Sequence, residues 1–229
     1  MKLSERLRAC AELVCPGNVA ADVGTDHGYL ALYLLEQGIC PEVYASDLRE
    51  GPLSAARRSA LRAGIQEHIS FVLSDGLQKL PVDRIGTVII AGMGGDNIIS
   101  ILDREPGVRN GCLQLILQPQ SKAAELRRYL TEQGFSILRE KLSRDGRFLY
   151  TAMEARYTGE QTGLTPGQQL ISPALLREQS PLLGEFLSRV RDGVEQSIRG
   201  LRQAREPDSD LLSWYETAFR ELAELEEQL

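Results

Sequence analysis

Histidine and cysteine are scarce in this 229-residue chain: two histidines, and four cysteines at positions 10, 15, 40 and 112 with no C-x-x-C spacing. Clustered ligands for zinc or for a disulfide framework are missing, so no metal is expected and the thiols are read as reduced core residues. Long apolar runs are missing as well. No stretch approaches the roughly 18 residues of a membrane span, and the polar start Lys2-Leu3-Ser4-Glu5-Arg6 holds no signal-peptide core. A cytoplasmic protein with no membrane partner is the expectation.

The net charge of −6 argues against a nucleic-acid partner only until it is divided along the chain. Residues 1–150 hold 18 basic and 18 acidic side chains, whereas residues 151–229 hold 8 and 14, so the whole acidic excess lies in the last third. The overall sign therefore says little about any site in the first two thirds.

What is present begins at Ala20-Ala21-Asp22-Val23-Gly24-Thr25-Asp26-His27-Gly28-Tyr29-Leu30. An apolar strand pattern ends on an acid, turns through two glycines and enters an apolar helix pattern, which is the order of a nucleotide-binding βα unit. Glycine suits a chain reversing over a ligand, because positive φ or close backbone approach leaves no room for a Cβ. Gly24 and Gly28 are thus read as the floor of a cofactor site. The spacing is D-x-G-x-D-x-G, not the dinucleotide G-x-G-x-x-G, and Asp26 replaces the middle glycine. It resembles motif I of the class I S-adenosylmethionine methyltransferases, and that resemblance implies that Asp22 helps hold the amino acid end of the cofactor.

The chain continues in alternating units. Residues 43–47 read as a strand ending on Asp47, 25 positions after Asp22, where such a unit takes the ribose hydroxyls; Leu48 follows as a further candidate contact. A basic helix runs from Gly51 to Gly64. Ile69–Leu73 reads as a third strand and ends at Ser74-Asp75-Gly76, an acid-glycine pair that resembles the adenine-contacting motif. Ile85–Ala91 reads as a central strand buried on both faces, and it runs into Gly92-Met93-Gly94-Gly95, then a helix over Ile98–Leu102. Gly111–Leu117 is a fifth strand followed by a helix over Ser121–Leu130. Phe135–Leu142 and Phe148–Tyr157 read as a closing hairpin, which separates this pattern from a dehydrogenase with its continuing parallel units.

Residues 158–167 read as a linker. Beyond it, Phe186 to Leu201 and Leu212 to Leu229 have helical periodicity around the break Arg205-Glu-Pro-Asp-Ser-Asp210, giving a coiled-coil-like helical hairpin. Its first helix is basic and its second acidic. Charge complementarity between two solvated helices and a basic helix gripping RNA are both open on this pattern. Leu3, Leu7, Cys10, Leu13 and Val14 follow helical spacing, with Lys2, Arg6 and Arg8 on other faces, so the organisation expected is an α/β, Rossmann-like methyltransferase sheet with an N-terminal helix over 1–158 and a linker with a helical segment over 159–229.

Taken together, Lys2-Leu3-Ser4-Glu5-Arg6-Leu7, Asp22 to Leu30, Ala45-Ser46-Asp47, Asp75-Gly76, Ile90-Ala91-Gly92-Met93-Gly94-Gly95, Leu117-Gln118-Pro119 and the helical C-terminus are similar to the bacterial tRNA (adenine(22)-N(1))-methyltransferases, the TrmK family. Gln120, where a small amide is expected, and Gly28, where alanine is common, depart from it. The resemblance implies S-adenosyl-L-methionine as cofactor and tRNA as partner. It implies Asp22, Gly24, Gly28, Asp47, Leu48, Asp75, Gly76, Ala91, Gly92 and Gly94 as cofactor contacts, and Asp26, His27, Tyr29 and Met93 as catalytic candidates.

Adenine N1 has a free lone pair and no proton, so methylation needs no prior general base and leaves a cation. Asp26 is the candidate to stabilise that cation, or alternatively a helix N-cap; His27 or Tyr29 can stack on a flipped base, or can serve only the turn and its packing. Arg6, Arg8, Arg57, Arg58, Arg127 and Arg128 are candidate phosphate contacts. A methyltransferase acting on another RNA or a small molecule, and a noncatalytic RNA-binding adaptor, are the competing readings. A monomer is expected.

Overall fold

Strand β4 (Thr87–Gly94) shows in miniature why the chain folds as it does. In the computed structural model, Val88 and Ile90 face one apolar cluster and Ile89 faces the other, so the uninterrupted run 87–90 is buried on both faces of the sheet. Each such aliphatic side chain contributes about 1.5–3 kcal/mol on burial. The structure describes residues 3–206 and 208–228; Lys2, Pro207 and Leu229, assigned by the sequence pattern to the first helix, the break and the last helix, lie outside the described residues.

The elements are α1 (Glu5–Leu13), β1 (Ala20–Val23), α2 (Tyr29–Glu36), β2 (Val43–Asp47), α3 (Glu50–Ala63), β3 (Ile69–Leu73), β4 (Thr87–Gly94), α4 (Gly95–Asp103), β5 (Gln114–Ser121), α5 (Ala123–Glu132), β6 (Phe135–Asp145), β7 (Phe148–Tyr157), α6 (Pro166–Leu170), α7 (Pro173–Arg177), α8 (Leu183–Gln203) and α9 (Ser209–Glu226). One seven-stranded sheet has the order β3-β2-β1-β4-β5-β7-β6. The first five strands are parallel, and β7 is antiparallel to both β5 and β6. Chain order reverses direction between β1 and β4, the place where an open α/β sheet opens a crevice beyond its strand ends. Helices α1, α2 and α3 share one cluster with Ala20, Ala45 and Ile116; Ile98 and Leu102 of α4 and Leu126 and Leu130 of α5 share the other with Ala21, Ile90 and Leu117.

Two boundaries differ from the sequence pattern in a useful way. Gly92, Met93 and Gly94 belong to β4, which pairs with β5 through two register shifts, between Ala91 and Met93 and between Met93 and Gly94. Helix α4 accordingly starts at Gly95, three residues before the apolar pattern, and only glycine fits at that start, because a Cβ there would collide with the Lys122 carbonyl. Strand β5 runs on to Ser121 and contains Pro119, opposite Met93 in the irregular stretch, where a missing ladder donor does least harm.

The expected linker, 158–167, runs into α6 at Pro166, and α7 follows in a stretch to which the sequence pattern assigned no element. Thr165 and Ser172 cap α6 and α7 through their hydroxyls, each followed by proline in the first turn. A third apolar cluster joins Ile171 and Leu175 to Leu187, Val194, Ile198, Ala218 and Leu222 of the helical pair, with Leu142 of β6 packed against it. Arg127 and Glu140 are both fully buried and ion-paired. Arg127 also donates to the Gln169 and Leu170 carbonyls at 2.8 and 3.0 Å, and Ser172 Oγ donates to Glu140 at 2.5 Å. Arg127 is therefore not a phosphate contact: its guanidinium is enclosed by protein acceptors.

Candidate cofactor and active site

Each parallel strand delivers one part of the crevice at its C-terminal end. Strand β1 delivers Asp22, then Gly24 at φ +76°, and a Cβ on Gly24 would collide with Met93 Cε. Strand β2 delivers Asp47, whose Oδ1 accepts the Arg49 amide at 2.9 Å. Strand β4 delivers Ala91, Gly92 and Met93. The space has two adjoining lobes. A lobe of about 610 Å³ is walled by α1, the β1–α2 turn and the end of β4. A lobe of about 410 Å³ reaches Leu48, Asp75, Gly76 and α4. Gly24, Asp47, Arg49 and Met93 line both, so a long ligand bent over the β1 and β2 ends would touch all the strand-end acids.

Asp22 is only 4% exposed. Its Oδ2 accepts the Thr25 hydroxyl at 2.6 Å. Burial pushes its carboxyl up to about 6; the Thr25 hydroxyl and the Ala31 amide pull the other way, and Asp47 adds a small upward push. A buried acid whose ionised form is disfavoured by desolvation is prepared for a cationic partner. At the far lobe, Asp75 takes both oxygens to Arg104, at 2.6 and 3.1 Å, and this pairing holds its carboxyl below the usual carboxylate range.

The remaining candidates divide clearly. Asp26 and Tyr29 line the larger lobe, and Asp26 adopts φ 49°, a left-handed turn that aspartate tolerates. Asp26 does not cap α2: the N-cap is Gly28 and no side chain caps that helix. His27 is exposed, lines neither lobe, and sits with its ring 5.5 Å from that of Tyr29 and 3.7 Å from Asp26 Oδ1. Gly28, at φ +75°, also stands outside the wall; a Cβ there would lie 2.9 Å from Ala56 Cβ, so it permits α2 to approach α3. Gly94 lies behind the wall against Ser121 Oγ.

Several wall residues come from elements whose sequence gave little sign of the site. Gln118, completely buried, accepts from Gly92 N at 3.1 Å and from Arg6 Nη1 at 3.2 Å, which holds the irregular end of β4 and a side chain of α1 in one place. Arg6, read from sequence as a phosphate contact, is thus part of the crevice wall, as are Thr25, Arg49 and Gln120. The signal available was the Leu3-Ser4-Glu5-Arg6 start and the Leu117-Gln118-Pro119 run.

Of the other basic candidates, Arg8 pairs with Glu5, Arg57 bonds Glu50 and lies over Phe71, and Arg58 and Arg128 are exposed. On the helical pair, Arg191 and Arg202 bond Glu226 and Glu216 of α9, as complementarity between the two helices requires, whereas Arg189 and Arg199 pair with Glu185 and Glu195 within α8. Cys10 and Cys40 are buried, their thiols pushed up to about 12 and about 11 by burial, but Cys15 is half-buried and Cys112 exposed, contrary to the core assignment. Among the described residues no group of three or more histidine, cysteine, aspartate or glutamate side chains could hold a metal ion, and no helix is long and apolar enough to cross a membrane.

Known proteins resemble this arrangement throughout. A family described as "Methyltransferase domain" matches residues 3–153. The tRNA (adenine(22)-N(1))-methyltransferase of Bacillus subtilis is 30% identical over 194 residues, 85% of this chain and 78% of that protein. The crystal structure of the B. subtilis m1A22 tRNA methyltransferase TrmK superposes with a TM-score of 0.80 at 26% identity, over 99% of this chain and 96% of that one. Sp1610 of Streptococcus pneumoniae, solved in complex with S-adenosyl-L-methionine, superposes with a TM-score of 0.82 at 27% identity, over 98% and 100%.

Proposed function

As this chain belongs to the tRNA (adenine(22)-N(1))-methyltransferase family of class I methyltransferases, we propose that residues 1–158 hold the cofactor and the target base while residues 159–229 help present the tRNA. The chain is an S-adenosyl-L-methionine-dependent enzyme that forms 1-methyladenosine in the D-arm of tRNA. We place it in the cytoplasm as a monomer; sedimentation at working concentration checks the second point.

The residues suit that cofactor on their own terms. Gly24 leaves the space a Cβ would fill, Asp22 offers a buried carboxylate to an ammonium group, and Asp47 offers a nearly buried one to vicinal hydroxyls. When bound, the cofactor supplies an electrophilic methyl group. Gly92 and Met93 shape the wall beside it, and Asp75 with Arg104 and Gly76 forms the end that suits a flat, polar base. Asp26 and Tyr29 stand at the mouth of the larger lobe, where Asp26 contributes negative potential as positive charge spreads over the target ring and Tyr29 offers a face for it to stack on.

One observation carries this assignment: four aspartates, Asp22, Asp26, Asp47 and Asp75, line the crevice, and among the described residues no histidine, cysteine or lysine does. That set suits a nucleophile which carries no proton and becomes a cation, as adenine N1 does. The test uses methyl-labelled S-adenosyl-L-methionine with an unmodified tRNA bearing the D-arm adenine, beside a twin with guanine there. Label recovered as 1-methyladenosine from the first tRNA alone is expected; label in neither, with cofactor still bound, would favour another RNA or the adaptor reading.

A further inference from the structure

The β6–β7 hairpin carries features that the crevice chemistry does not use. Asp145 and Phe148 are its last facing pair, and Ser143 faces Tyr150 two residues back. Residues directly opposed in an antiparallel pair share a face, and that face recurs every second residue. Phe148 and Tyr150 therefore lie on the side of Asp145, whose Oδ2 is 3.7 Å from Nε of Arg6 in the crevice wall. Phe148 is 51% exposed. The Arg147 guanidinium stands 4.9 Å from its ring centre and the Tyr150 ring 6.2 Å away. Helix α8 steadies this tip: Arg189 Nη1 donates to the Arg147 carbonyl at 2.8 Å, and Arg144 bonds Glu185.

On the same face, α1 and β6 wall a groove of about 380 Å³ that Ser143 helps to line. Among the described residues four buried side-chain polar atoms have no hydrogen-bond partner, and two of them, Arg8 Nε and Ser143 Oγ, belong to residues lining this groove. Leaving such an atom unpaired costs about 1–3 kcal/mol, which points to an occupant that accepts hydrogen bonds. Glu5 and Glu12 also line the groove but are engaged by Arg8 and Lys141. A phosphate group offers acceptors only, and an exposed aromatic tip beside it offers a face for a base.

We propose that the tRNA strand flanking the adenine in the crevice crosses this face, with one base stacked on Phe148 and a phosphate seated between Arg8 and Ser143. The proposal rests on the tRNA assignment above. It makes the hairpin tip a positioning element: it sets where the strand lies as its neighbour enters the crevice.

The test compares the full chain with Phe148→Leu, Phe148→Trp and Arg8→Gln, all checked for unchanged cofactor Kd and melting temperature. Phe148→Leu should raise the tRNA Kd and KM about tenfold with kcat held, as loss of one stacked base does, and Phe148→Trp should restore both. Arg8→Gln should make the plot of log K against log salt shallower by about one phosphate contact. An unchanged KM in Phe148→Leu, or an unchanged slope in Arg8→Gln, overturns this path while the active wild type keeps the substrate assignment. A wild type that transfers no methyl to tRNA would overturn both.

Discussion

At the scale of single residues, Asp22 joins stability to cofactor binding. Its carboxyl is raised from 3.8 to about 6 by burial, so the folded chain binds this proton more tightly than the unfolded chain. The associated stabilisation is fully present below about pH 4 and is lost as pH rises through about 6, a change of about 3 kcal/mol for a shift of this size. A bound ammonium group favours the opposite, ionised form. Cofactor affinity is therefore expected to fall as pH drops from 7 to 5, and calorimetry near pH 6 should detect proton release on binding. Asp22→Asn should flatten the pH dependence of cofactor-free stability and lose cofactor affinity; a variant that keeps wild-type affinity at pH 7.5 would remove Asp22 from the site. Gly24→Ala meets both a left-handed backbone and Met93 Cε, so a strain of about 1–3 kcal/mol should appear as weaker cofactor binding by titration, with the fold retained. The two glycines of the β1–α2 turn look equivalent in sequence, yet Gly24 faces the crevice and Gly28 faces Ala56. Only the packing of α2 on α3 distinguishes them, and that contact links residues far apart in the chain.

Among the elements, the strands of the parallel core were readable because burial imposes a pattern: β2, β3 and β7 begin and end where apolar alternation and turn residues place them. The end of β4 was not. Three glycines in four residues read as a loop, whereas pairing with β5 keeps them extended, and Gln118 supplies the bond that holds Gly92 there. A side chain completely buried 26 positions away leaves no local mark. Helices α6 and α7 were missed for a different reason: at five residues each they show no periodicity, and only the Thr165-Pro166 and Ser172-Pro173 caps announced them. Gln118→Leu tests the β4 assignment. Of similar bulk but without an acceptor, leucine leaves the Gly92 amide without its side-chain partner and frees Arg6, so kcat should fall at least tenfold while the melting temperature drops by only a few degrees, in keeping with about 1–3 kcal/mol for a buried unpaired group. Equal activity would mean that the β4–β5 ladder alone fixes the glycine stretch.

Across the whole molecule, the Arg127–Glu140 pair decides whether the C-terminal helices hang on a tether or form part of the body. The pair lies between α5 and β6, and beyond a bond from Arg127 to the Thr151 hydroxyl its remaining donors and acceptors go to Gln169, Leu170 and Ser172. The residues just beyond the linker read from sequence, Gln169 to Ser172, are thus where the sheet grips the helical pair. Arg127→Met leaves Glu140 charged and buried, a change that costs about 3–5 kcal/mol, whereas Arg127→Met combined with Glu140→Leu removes both charges and should recover most of that loss. Chemical denaturation of the two variants measures this. If the helical pair is gripped here, the single variant should also become sensitive to proteolysis in 158–182 and lose methylation of tRNA more than it loses cofactor affinity. For the same reason, a truncation meant to isolate the cofactor unit must end beyond α7: cutting at 160 strips Arg127 of its carbonyl partners and Glu140 of the Ser172 hydroxyl. A chain ending at 160 as stable as the full-length protein would show that the pair is satisfied without the segment.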